Sequence, residues 1–220
     1  IMPINGEILQ ASGTTNLFPK WHPKENAYVY LTNSQNDFFG QTDLFYHNLD
    51  SGEQKKIKSG VISAPTWHPN GDRVYYSKKS KFPNRNGSRF YDIYSYDFEE
   101  DEEYRLTTDA RAFSPVYIEK DSTIAYLSTY DGGQDIYLLD LKSNKVIRLT
   151  QFTDRPMISY LYYDSSSHKL YFDLTENHFR DIYSFDLDTY QVDVYAGNKF
   201  YDERNLASHN SNYRVYSTDR

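Results

Sequence analysis

The chain of 220 residues has no cysteine. That excludes a disulfide framework, a thiolate zinc site and a thiol nucleophile. No apolar run approaches the roughly 18 residues that a membrane-spanning helix needs. No segment keeps an apolar period of 3.6 residues. A nucleophile elbow of the form Gly-x-Ser-x-Gly is missing, as are a His-Glu-x-x-His pair and an EF-hand loop. These gaps leave no catalytic residue, no metal ligand set and no cofactor motif to assign. Basic excess is missing too. The formal net charge is −7, which favours solubility and argues against general nucleic-acid binding. The first residues, Ile1-Met2-Pro3, hold neither an initiator methionine nor a signal peptide, so the expectation is a piece of a longer protein.

Aromatic residues are abundant. There are 23 Tyr and 13 Phe against 2 Met and 2 Trp. Tyr and Phe suit a pleated, half-buried surface, so the composition leans towards strand.

The sequence also repeats itself. Trp21-His22-Pro23 returns 46 positions later as Trp67-His68-Pro69. A second mark is Asp, an aliphatic residue and an aromatic: Asp43-Leu44-Phe45, Asp92-Ile93-Tyr94, Asp135-Ile136-Tyr137 and Asp181-Ile182-Tyr183. A third is Leu-Thr, at Leu106-Thr107 and Leu149-Thr150. A fourth is a later Asp, at Asp50, Asp97, Asp140 and Asp186. Between the marks lie short runs of strand character. One repeat reads Phe113 to Tyr117, Thr123 to Ser128, Asp135 to Asp140 and Val146 to Thr150. Turn chemistry separates them, at Lys120-Asp121-Ser122, Asp131-Gly132-Gly133 and Lys142-Ser143-Asn144. Asn70-Gly71 predicts a two-residue type I′ hairpin turn.

Four short strands per roughly 45 residues is the signature of a β-propeller blade. The expected fold is all-β: one propeller domain over residues 1–220, with four-stranded antiparallel blades near 17–62, 63–110, 111–154 and 155–202. Partial blades lie at 1–16 and 203–220. A five-bladed ring would join the two ends, and a six-bladed ring would need further residues.

The run from Ser128 through Asp131-Gly132-Gly133, Asp135-Ile136-Tyr137, Asp140-Leu141 and Leu149-Thr150 resembles the TolB-type, WD-like propeller repeat. Pro65-Thr66-Trp67-His68-Pro69-Asn70-Gly71 is similar to its opening half, with His68 and Asn70 where that family usually has Ser and Asp. The resemblance implies a non-enzymatic, protein-binding scaffold of the bacterial cell envelope, in the periplasm or otherwise outside the cytoplasm. The partner would be a protein or another domain of the same chain, without nucleic acid or membrane insertion. The same repeat occurs in peptidase gating propellers and in sugar lyases, and these are the two alternative readings.

Blade loops vary, and propellers bind through loops on one face. The loop between a blade's second and third strands falls on the same face as the links between blades. Two such loops are enlarged. Asn33 to Thr42 carries Phe38 and Phe39. Lys78 to Tyr91 carries Lys79, Lys81, Phe82, Arg85 and Arg89 and has no acid. Aromatics and Arg are favoured at interface hot spots, so these seven residues are the candidate binding site. At the opposite end, Asp97 and Glu99 to Glu103 make an acidic turn. The repeated His22 and His68 read as turn residues. The repeated strand-opening Asp read as acceptors of backbone N–H groups.

Overall fold

The computed structural model describes residues 13–35, 40–176, 178–197, 202–210 and 213–219, without the side chains of 205 and 207–210. The described residues form strands and no helix. They fall into two compact units, Ile1–Pro115 and Val116–Arg220.

The first unit holds two antiparallel four-stranded sheets, each in sequential order. One is β1 (Asn16–Trp21), β2 (Ala27–Thr32), β3 (Asp43–Asn48) and β4 (Gln54–Ser59). The other is β5 (Thr66–Trp67), β6 (Arg73–Lys79), β7 (Tyr91–Asp97) and β8 (Glu102–Arg105). The next sheet runs β9 (Ala112–Ile118), β10 (Thr123–Ser128), β11 (Asp135–Asp140) and β12 (Val146–Arg148). Its first strand spans the boundary between the units. The second unit continues with β13 (Met157–Asp164), β14 (Lys169–Glu176), β15 (Phe179–Asp186) and β16 (Gln191–Ala196), then a hairpin of β17 (Glu203–Asn210) and β18 (Tyr213–Thr218). The four-stranded meanders are β-propeller blades. Of the partial blade expected at 1–16, residues 1–12 lie outside the described residues.

Burial follows the blade. Both inner strands β2 and β10 are buried at every position, while the outer strands β4, β8, β12 and β16 are mostly exposed. The two-residue period of a strand sends alternate side chains to opposite faces. In β2, Tyr28 and Tyr30 pack with Phe45 on one face. Val29 and Leu31 join Leu44, Val61, Val74 and Tyr76 on the other, between the first two blades. In the second unit, Tyr171, Ile182 and Leu206 bring the fourth blade against the final hairpin.

The repeated residues are structural parts. Trp67 stacks on Phe98 with centroids 5.3 Å apart, and its indole N–H donates to the Lys20 carbonyl at 3.0 Å. His22 Nδ1 accepts the amides of Lys24 (3.2 Å) and Glu25 (2.9 Å). Its proton therefore sits on Nε2, which donates to the Gly71 carbonyl at 3.0 Å and latches the first blade's turn to the second's. Gly71 has φ +84, and a Cβ there would lie 2.3 Å from the His22 ring. The turn is not type I′. The Gly71 amide donates to the His68 carbonyl at 2.9 Å, and of Asn70 and Gly71 only Gly71 has positive φ. Pro69 in the second position makes it a type I turn followed by a left-handed glycine, because proline fixes φ near −65°.

The strand-opening Asp is the centre of a clasp. Asp92 is fully buried and accepts Arg105 Nη2 at 2.6 Å, Thr107 Oγ1 at 2.8 Å and the amides of Asp109 (3.2 Å) and Ala110 (3.0 Å). Asp135 accepts Arg148 Nη2 at 2.7 Å, Thr150 Oγ1 at 2.9 Å and the Phe152 amide at 3.1 Å. Each Thr hydroxyl also accepts the amide that follows the Asp, Ile93 at 3.0 Å and Ile136 at 2.9 Å. The second and third sequence marks are thus two halves of one hydrogen-bonded unit.

The fourth mark needs a correction in the first blade. Asp97, Asp140 and Asp186 each accept the amides two and three residues on and so fix the turn into the outer strand. In the first blade Asn48 does this, taking the amides of Asp50 and Ser51 at 3.0 Å each. Asp50 instead receives the Asn26 side-chain amide at 2.8 Å. Each turn closes with a left-handed residue: Gly52, Asp101, Asn144 or Tyr190.

Candidate functional site

The loop after β6 begins where the ladder ends, at the pair Lys79 and Tyr91. Ser80 extends it by one bond, its amide donating to the Phe90 carbonyl at 2.8 Å. The buried Ser80 hydroxyl donates to the Phe82 carbonyl at 2.5 Å. Asn84 organises the tip. Its Oδ1 accepts the amides of Asn86 and Ser88, each at 3.0 Å. Its own amide donates to the Ser88 carbonyl at 2.8 Å, and its carbonyl accepts the Gly87 amide at 3.0 Å. Gly87 takes the left-handed φ of +76 that this tight turn requires. The loop is ordered by its own bonds.

That scaffold displays charge. Lys79, Lys81, Arg85 and Arg89 are exposed, and among the described residues none of the four forms an ion pair. Phe82 is 70% exposed, with Lys81 Nζ 5.6 Å from its ring centre. Phe90 is half-buried under Arg111, whose guanidinium lies 4.4 Å from the ring centre. An open pocket of about 540 Å³ lies beside the loop. Phe82, Pro83 and Arg85 of the loop line it together with Arg105 at the end of β8 and with Thr108 and Asp109 of the link into the third blade. Asp109 is held by Arg105 at 3.5 Å, so the clasp of the second blade also fixes this part of the lining.

Lys78 departs from the sequence expectation. It lies in β6, half-buried, with Nζ 2.5 Å from Glu103 Oε2 and 4.7 Å from the Tyr94 ring centre. Tyr76 donates its hydroxyl to the same carboxylate at 2.5 Å, and burial, reinforced by Glu103, pushes that phenol far above its ordinary range. The acidic turn is likewise shared out among partners. Asp97 binds Arg73, Asp101 binds Lys55, and Glu100 accepts the Tyr104 hydroxyl at 2.6 Å, with Glu102 3.0 Å from the same oxygen. Phe38 and Phe39 lie outside the described residues. The ends of their loop are described. Thr42 bonds Val61 in both directions, which sets this loop beside the link between the first two blades. Nothing in the sequence marks Arg105, Thr108, Asp109 and Arg111 except position, at the end of a fourth strand and in the link after it.

No family model matches the chain. The curated Tol-Pal system protein TolB of Ruthia magnifica is 32% identical over 107 residues, which is 48% of this chain and 23% of that protein. That matched stretch carries the TolB-type propeller repeat. The crystal structure of TolB from Acinetobacter baumannii superposes with TM-score 0.68 at 20% identity, over 89% of this chain and 47% of that one. A chain in a nidogen/laminin complex superposes with TM-score 0.66 at 12% identity, over 93% of this chain and 72% of that one, a likeness of fold. The TolB-type stretch thus spans under a quarter of the length of the curated relative it matches and about half of the Acinetobacter TolB chain.

Proposed function

We propose that this chain is a non-enzymatic, protein-binding propeller of the bacterial cell envelope, TolB-like and placed in the periplasm. The observation that carries this reading is the TolB-type repeat, together with relatives described as Tol-Pal system proteins. The loop face supports it. A self-ordered loop carrying four exposed, unpaired cations and an exposed Phe82 is suited to contact a protein or another domain of the same chain. Blades vary in their loops while the clasps and turns serve the fold, so the variable loop is where the partner is read.

Two measurements on the tagged full-length protein in its native host test the reading. Fractionation should place it outside the cytoplasm. Chemical cross-linking should recover a partner, and recovery should fall several-fold when Lys79, Lys81, Arg85 and Arg89 are changed together to Gln. A cytoplasmic protein would sink the envelope assignment. Undiminished recovery would remove this loop from it.

A further inference from the structure

The basic loop gathers Lys79, Lys81, Arg85 and Arg89 with no acid between them. Several cations elsewhere are matched one by one: Lys55 with Asp101, Lys56 with Asp43, Arg73 with Asp97, Arg105 with Asp92 and Arg148 with Asp135. On the loop, Lys79, Lys81, Arg85 and Arg89 are left to solvent in a chain of net charge −7. The corresponding loop of the third blade, between β10 and β11, carries Tyr130 and Asp131 and no cation. An uncompensated cluster on one loop attracts an anion locally while the whole chain repels polyanions.

The pocket narrows the chemistry. Its lining joins the 70% exposed Phe82, Pro83 and the unpaired Arg85 to Asp109, whose carboxylate Arg105 already engages. A matching ligand therefore carries negative charge for Lys81, Arg85 and Arg89 and an uncharged aromatic side chain for Phe82. The self-bonded tip around Asn84 is preorganised, so little loop entropy is lost on binding.

We infer that the loop from Lys79 to Phe90 and the adjoining pocket bind an acidic linear segment of a partner protein, anchored by one aromatic side chain on Phe82. This rests on the reading of the chain as a protein-binding propeller and names the partner chemistry for it.

The test uses the full chain and a labelled, short glutamate-rich peptide with one central phenylalanine, followed by fluorescence anisotropy. Binding is expected to weaken about tenfold in the double variant Lys81→Glu, Arg85→Glu, and several-fold in Phe82→Ser or when the peptide's phenylalanine is replaced by glycine. A glutamine-rich control peptide should not bind, and raised salt should weaken the wild-type complex, which tests the electrostatics without any variant. Unaltered binding by the double variant, or no salt dependence, overturns the inference. So does preferential binding to phosphatidylglycerol vesicles through the same residues, which would make the loop a membrane contact. Peptide failure beside persistent partner recovery defeats this inference alone. A cytoplasmic location defeats the envelope reading alone.

Discussion

The second and third blades hold their strand-opening aspartate in a full clasp, while the first keeps its aspartate with fewer partners and the fourth has neither the arginine nor the threonine at the matching positions. Thirteen positions after Asp92 and Asp135 stand Arg105 and Arg148, and fifteen after stand Thr107 and Thr150. In the first blade the same offsets from Asp43 give Lys56 and Lys58. Lys56 still reaches the carboxylate, and the Gly60 amide donates to it at 3.1 Å. The threonine hydroxyl is gone, and the strand pair shifts register between Leu44 and Phe45. In the fourth blade those offsets from Asp181 give Val194 and Ala196. There a Cβ at Gly197 would lie 2.8 Å from Asp181 Cγ, so the bare glycine backbone packs against the carboxylate. One sequence mark therefore covers environments of different strength. A blade tolerates this because ladder bonds and packing on both faces of its inner strands carry most of its stability.

The contrast can be broken most directly at the aspartates. Asp92→Ala leaves Arg105, Thr107 and two amides without their acceptor, and should cost about 3 kcal/mol. Asp43→Ala, which loses Lys56 and the Gly60 amide, should cost about 1 kcal/mol, within the ordinary range of single substitutions. Hydrogen exchange read blade by blade would show it, and equal losses at the two sites would end the distinction. A smaller effect sharpens it from the other side. Val194 is 57% exposed and pairs across from Tyr183, as Arg148 pairs across from Tyr137. Val194→Arg should place an arginine beside Asp181 as Arg148 stands beside Asp135, and slow exchange in the fourth blade, by about 0.5 kcal/mol. No gain would mean that the register shift between Ile182 and Tyr183 keeps an arginine here away from the carboxylate.

The smallest effect is a difference in acid response. Backbone bonding from Thr189, with Lys169 adding to it, lowers the Asp186 carboxyl to about 2. Backbone amides likewise depress Asp97 and Asp140. A carboxyl depressed on folding stabilises the fold above its ordinary range near 4, and the benefit is lost as pH falls towards the folded value. The turns of blades two to four should therefore loosen in acid, and the first, capped by Asn48, should not. The Thr189 amide signal in NMR should titrate near pH 2, while that of Ser51 stays fixed. A Ser51 signal that titrates alongside it would contradict the assignment of that turn.

Much of the fold was legible from local rules. The strands expected at 113–117, 123–128, 135–140 and 146–150 are found at 112–118, 123–128, 135–140 and 146–148. Strand period and turn chemistry act over a few residues, so the sequence shows them directly. The charge of the candidate loop was equally visible, and its arrangement was not. Lys78 looked like a fifth loop cation, yet a carboxylate 25 positions away neutralises it.

By itself, then, the sequence determined the repeat, the strand positions, the turn residues and the concentration of charge on one loop, because each depends on neighbours along the chain. Tertiary structure alone decided the rest. It chose Asn48 over Asp50 to cap a turn, tied Asp92 to Arg105 and Thr107, and brought Phe82 and Arg85 to one pocket with Asp109. Those pairings depend on strand register and on how one blade runs into the next, and both are fixed only when alternate side chains find the core together.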